Sequence, residues 1–121
     1  MFIESQLITD PKAIFDDADD FVALYCGIED MSHHGGHVSG AFLHCIFKNL
    51  DLYWGMFNLV SFVSCKFEQC VFRGTSFPDC RFVECAFKDC LFLRDNLNAP
   101  CKFEGAKWYD CTQNRCEGLI I

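Results

Sequence analysis

The chain has 121 residues, 51% of them hydrophobic and 16% aromatic, which fits one domain with a real core and excludes a disordered chain. The net charge of −7 sits wholly in residues 1–31, where eight acids face Lys12 alone; residues 32–121 balance nine acids with nine bases and carry no basic stripe for nucleic acid. No apolar run approaches the roughly 18 residues of a membrane span, and the opening MFIESQLITDPK has neither the basic start nor the apolar stretch of an export signal.

In chain order, residues 2–8 read as extended. Asp10-Pro11 is a helix-start signal, a capping side chain followed by proline. Ile14, Ala18, Phe21, Val22 and Tyr25 then recur at helical spacing, with Asp16, Asp17, Asp19 and Asp20 mostly on the other face. A helix over 11–25 is therefore expected. Cys26 follows with no neighbouring base. Residues 31–39, softened by Gly35 and Gly36, read as a flexible linker. Its His33, His34 and His37, with His44 nearby, are candidate metal ligands. Two adjacent histidines rarely face one metal, and no carboxylate lies within the segment, so no metal is expected. Residues 1–39 are thus expected to form an N-terminal cap.

From residue 40 the pattern changes to a period of five. Twelve apolar residues follow one another at five-residue steps, from Phe42, Phe47 and Leu52 to Phe87, Phe92 and Leu97. One extra residue then enters near Asn98–Pro100, and the series resumes at Phe103 and Trp108. This period is neither 3.6 nor 2, so it is neither helix nor ordinary strand. A square coil of four pentads per turn satisfies it. Two residues before each centre lies a second inward slot, at the corner of the square, which holds nine of the ten cysteines. Free cysteine acts there as a small hydrophobe. Asp95 in the same slot marks a local distortion leading into the insertion.

The units CKFEQ (65–69), CVFRG (70–74), CRFVE (80–84), CAFKD (85–89), CLFLR (90–94) and CKFEG (101–105) resemble the pentapeptide-repeat family over roughly residues 40–118. Phe and Cys replace the commoner Leu and Ala. The resemblance implies an all-β, right-handed quadrilateral β-helix. About four coils are expected over 40–121, with columns Phe42–Phe62–Phe82–Phe103 and Phe47–Phe67–Phe87–Trp108. The cysteine columns would be Cys45–Cys65–Cys85, Cys70–Cys90–Cys111 and Cys80–Cys101. Stacked thiols point the same way, whereas a disulfide needs convergent ones. Reduced thiols and a cytoplasmic location follow.

No glycine-rich phosphate loop, HExxH or GxSxG motif occurs, so neither catalytic residues nor a cofactor are expected. Function is sought on the flanks. Leu43, Val63 and Val83, continued by Glu104, form one outward column. Val71 and Leu91, beside Tyr53, Arg73 and Leu93, form another region, and Trp54 adjoins it. These are candidate partner-binding residues, and a protein partner is the expected ligand, in an inhibitor, adaptor or immunity-type role. Leu119, Ile120 and Ile121 form an apolar tail. It either folds over the last coil or meets a second copy; the family's habit of dimerising there favours a homodimer. The resemblance also raises an alternative, a DNA-mimicking inhibitor or protector of a topoisomerase such as DNA gyrase.

Overall fold

A computed structural model describes all residues, Met1 to Ile121. The chain winds a four-sided β-solenoid of about five turns whose strands pair in parallel. Face I stacks Phe2–Glu4, the end of Ala18–Leu24, the end of His37–Leu43, Ser61–Val63, Arg81–Val83 and Lys107–Tyr109. Face II runs from Leu7–Ile8 through Gly27, Ile46, Lys66–Glu68 and Ala86–Lys88 to Thr112–Asn114. Face III carries His33, Leu52, Val71–Arg73 and Leu91–Leu93; face IV carries Val38, Phe57 and Ser76.

The solenoid begins at the first strand, not at residue 40. Residues 11–25 are not a helix: α1 spans only Lys12–Phe15, and Ala18–Leu24 is a strand. The expected linker is strand Gly27–His34 and the start of strand His37–Leu43. Centres at Ile3, Ile8, Ala18, Ala23, Ile28, His33 and Val38 keep the five-residue phase. Most of these residues are smaller than Phe, so the core is refilled by exchange. Phe21 occupies a corner slot beside the small centre Ala23, its ring 5.9 Å from Phe42. Phe15, delivered by α1, lies edge-on to Phe57 at 5.6 Å and stacks on His33 at 5.9 Å. Ile14 from the same turn is fully buried, so α1 plugs the first coil in place of a strand. Volume is conserved while positions change.

Between Val38 and Phe42 the step shortens to four. Gly40 serves at once as the corner after one centre and the slot before the next. It sits at φ +132°, and an added Cβ would lie 1.9 Å from the Phe21 carbonyl oxygen. Only glycine fits there.

From Phe42 onward the core is a phenylalanine ladder. Phe47, Phe67 and Phe87 stack at 4.6 Å per step, and Phe42, Phe62 and Phe82 at 5.6 and 4.9 Å. Nearly every corner turns at a residue of positive φ, among them Ser5, Asp20, Tyr25, Asp30, His44, Asn49, Ser64, Asp89 and Arg115; Asp10 and Arg94, which lead into α1 and into the insertion, do not.

Below Phe92 the columns differ from the expected ones. Phe82 stacks on Trp108 at 4.1 Å, and Phe77 on Phe103 at 5.0 Å. The register between the last coils is Phe82↔Trp108 and Phe87↔Gln113, a step of 26 residues where the coils just above step by 20. The insertion is therefore six residues long, and Leu97 is no centre but an exposed loop tip. An insertion of one and an insertion of six leave the same phase in a period of five; they differ in how many corners the chain turns. The thiol columns shift likewise, to Cys26–Cys45–Cys65–Cys85–Cys111 and Cys70–Cys90–Cys116. Cys80 stands over Ala106, and Thr75 over Cys101. Cys26 thus belongs to the repeat, and all ten cysteines occupy the corner slot.

Candidate protein-interaction flank

The corner slot has a chemical reason to prefer Cys over Ala. Eight of the ten thiols, all but Cys26 and Cys116, donate to the carbonyl of a centre residue in the coil above, among them Cys65 to Phe42 (3.2 Å), Cys80 to Phe57 (2.9 Å), Cys85 to Phe62 (3.3 Å) and Cys90 to Phe67 (3.3 Å). Thr75, fully buried, makes the same bond to Leu52 at 3.3 Å. Where the slot holds Cys or Thr, the side chain is small and supplies one donor, which alanine lacks. All ten thiols are free; seven are buried, while Cys101, Cys111 and Cys116 are half-buried on the last coil. Hydrogen bonds from Cys65 hold Cys45 down to about 7 and also lower Cys85. Cys65 itself is driven up by those bonds and by burial. Burial pushes Cys80 up to about 12. No histidine or carboxylate partners these thiols as a base.

The histidines diverge. His33 is a half-buried centre against Phe15. His34 lies over Tyr53 at 5.3 Å, His37 is 3.7 Å from Asp19, and His44 stacks on Tyr25 at 5.0 Å. No three His, Cys, Asp or Glu side chains converge on a common point. The largest depression, about 460 Å³, is an open groove lined by Asp30, Ser32, Asn49, Asp51 and Gln69 among others.

The flanks separate the candidate partner-binding residues onto opposite faces. Leu43, Val63 and Val83 stand in register on face I, all half-buried. The structure lengthens this column at both ends: Leu24 precedes Leu43, and Tyr109, not Glu104, follows Val83. Glu104 lies on face IV instead, beside Pro78 and Lys102 around a shallow depression. Beside the column, Val22 and Ala41 are also half-buried. At the adjoining corner the Tyr25–His44 stack is exposed, and beyond it Leu7 and Ile46 are exposed on face II. Sequence reasoning missed Leu24 and Tyr25, which it had placed in a helix. The visible signal was the set of turn-forming residues Ser5, Asp20, Asp30 and Gly35, spaced in multiples of five.

Face III is different. Val71 and Leu91 are in register, with Asp51 before them and Glu117 after. Tyr53, Arg73 and Leu93 form the neighbouring column. Arg73 pairs with Asp51 at 3.4 Å. The six-residue insertion folds back onto this face. Asp95 accepts hydrogen bonds from the Trp54 indole (2.8 Å) and from the backbone amides of Leu97 (2.8 Å) and Ala99 (2.9 Å). The Asn96 amide donates to the Tyr53 hydroxyl. These bonds, the Ala99 amide first, hold the Asp95 carboxyl below its usual range. Tyr53 and Trp54 are thus engaged inside the chain, while nothing in the chain covers the face I column.

At the C-terminal end, Leu119 is buried against the chain's own core and its carbonyl accepts from the Gln113 amide at 3.0 Å. The tail folds over the last coil, so Leu119 is not free to meet a second copy. Ile120 and Ile121 remain exposed.

Five-residue repeats wound into a four-sided parallel β-solenoid are the fold that the resemblance to pentapeptide-repeat proteins implies. No family model matches the chain, and no curated protein matches it. Among solved structures it is similar to a trypsin-treated variant of QnrB1, a plasmid-mediated fluoroquinolone resistance protein, at 9% identity and a TM-score of 0.39, covering 96% of this chain and 68% of that one. At that level the likeness bears on neither partner nor activity.

Proposed function

We propose that this protein is a non-enzymatic binding module that engages a protein partner through face I. The observation that carries the reading is the uninterrupted outward column Leu24–Leu43–Val63–Val83–Tyr109 on a flat sheet face that no part of the chain covers. An apolar stripe on a rigid surface is the usual core of an interface, and the Tyr25–His44 stack at its edge supplies aromatic anchors.

Size sharpens the reading. A column of five strands at about 4.8 Å spacing is roughly 20 Å long, and a three-residue strand is about 10 Å wide. That is roughly 200 Å² of flat face, well below the ~800 Å² per partner of a stable complex. A partner therefore wraps the corner onto Tyr25, Ile46 and Leu7, or it binds transiently.

The DNA-mimic alternative needs a continuous acidic flank. Outward residues on face II instead alternate as Glu29, Lys48, Glu68 and Lys88 down successive coils. The acids concentrate on the first coil, at Asp10, Asp16, Asp17, Asp19 and Asp20.

The test is an affinity capture from the source organism. It compares the native chain with a Leu43→Asp, Val63→Asp, Val83→Asp variant that keeps its circular dichroism spectrum, followed by a binding isotherm with the purified partner. Loss of one enriched partner with the variant supports face I. Equal binding by both moves the site elsewhere, and recovery of a topoisomerase by both revives mimicry.

A further inference from the structure

We propose that the thiol pairs Cys85/Cys111 and Cys90/Cys116 each hold one soft, two-coordinate d10 cation of the Cu⁺ class. The pairs are brought together by the 26-residue step between the last coils: the Thr112 amide bonds the Cys85 carbonyl, and the Glu117 amide bonds the Cys90 carbonyl, each at 3.0 Å. Each pair therefore occupies equivalent corners of adjacent parallel strands.

The strand spacing, about 4.8 Å, sets the separation of the two sulfurs because their side chains point the same way. A disulfide needs Cβ atoms near 3.8 Å with convergent directions, which parallel thiols do not supply. A linear sulfur–metal–sulfur bridge needs the opposite. Metal–thiolate bonds are about 2.3 Å, so two in line span about 4.6 Å, and soft thiolates select Cu⁺. The cation then lies on the line joining the sulfurs, along the solenoid axis. Binding proceeds as M⁺ + 2 RSH → [RS–M–SR]⁻ + 2 H⁺. Two sulfur–metal bonds form, two protons leave to solvent, and no oxidant or reductant is consumed.

Access singles out these pairs. In each proposed pair one thiol, Cys111 or Cys116, is half-buried on the last coil and its partner, Cys85 or Cys90, is buried, whereas in Cys26/Cys45, Cys45/Cys65, Cys65/Cys85 and Cys70/Cys90 both thiols are buried between coils. The net negative charge of each complex lies at this more open end, where burial costs least. Zinc is excluded by the same geometry: it takes four donors, and no set of three or more converges here. Two half-buried or buried cysteines provide an internal control. Cys101 has Thr75 above it, and Cys80 has Ala106 below it, so neither has a thiol partner across the last interface.

The experiment is an anaerobic titration of the reduced full chain with Cu⁺ against a colorimetric Cu⁺ chelator, repeated with Zn²⁺. X-ray absorption then counts the sulfurs around copper. The native chain is expected to withhold two equivalents of Cu⁺, each with two sulfur neighbours, and no Zn²⁺. Cys111→Ser and Cys116→Ser should each withhold one, and Cys101→Ser still two; the alanine variants serve where serine disturbs the corner. The proposal is overturned if the native chain withholds none, if Cys101→Ser loses as much as the other two, if Cys111 and Cys116 variants keep both equivalents, or if copper shows three or more sulfurs.

Discussion

The first two coils and the coils below Phe42 share one backbone geometry and differ in how they fill it. The lower coils place a phenylalanine at nearly every centre and a thiol at the corner, so each layer repeats the one above. The upper coils use Ala18, Ala23, Ile28 and Val38 as centres and restore the lost volume with Phe21 from a corner and Ile14 and Phe15 from α1. The solenoid thus tolerates exchange of volume between its slots, provided the corners keep their turn conformation. What the fold demands at each pentad is a corner and a filled layer; a particular aromatic residue is one way to fill it.

Deleting ring volume from the ladder should break the lower region most. Phe67 stacks between Phe47 and Phe87 and is 1% exposed, so Phe67→Ala should cost about 3–5 kcal/mol in urea unfolding. Its counterpart in the same column of the upper region, Ile28→Ala, should cost less, nearer ~2–3 kcal/mol. Equal costs would mean the two regions are packed alike. At the junction, Gly40→Ala forces a Cβ into the Phe21 carbonyl and should destabilise by about 3 kcal/mol, more than Gly35→Ala, whose added Cβ meets nothing within 4 Å and which carries only the strain of a φ of +73°.

Thiol accessibility separates the last coil from the rest. Cys101, Cys111 and Cys116 should react with a disulfide reagent in the native state, and the other seven only after unfolding. Native labelling of Cys45 or Cys65 would mean the upper coils open independently.

The smallest effect concerns the inserted loop. The Asp95 carboxyl is lowered from its usual 3.8 by the hydrogen bonds it accepts. A depressed carboxyl contributes stability that is present above its unfolded value and lost as pH falls through its folded value. Trp54 emission should therefore stay constant down to about pH 4 and change only at more acid pH. In Asp95→Ala the emission should be shifted already at neutral pH.

The sequence made the lower coils legible because Phe and Cys each repeat on their own five-residue phase. It hid the upper coils because Ala18 and Ala23 carry too little hydrophobic signal, while Ile14, Ala18, Phe21, Val22 and Tyr25 happen to lie at helical spacing. Ile14 stays in α1, while Ala18, Phe21 and Val22 take centre, corner and outward positions of the strand Ala18–Leu24 and Tyr25 turns the corner after it. The insertion was misjudged for another reason: periodicity modulo five cannot count corners, so Phe103 and Trp108 kept their phase while moving one column. The face I column was legible through Leu43, Val63 and Val83. Its continuation through Leu24 and Tyr109 depended on those two errors and emerged only with the register. Face III offered equally apolar residues, and only the folded loop shows that Tyr53 and Trp54 are already occupied.

The most direct test of the account is photo-crosslinking from the two opposite faces. A photoreactive residue is placed at Val63 or at Leu93, and crosslinked proteins from the source cells are identified. The account predicts one dominant adduct from Val63 that is absent from Leu93. The same adduct from Leu93 alone would contradict it and move the interface to face III.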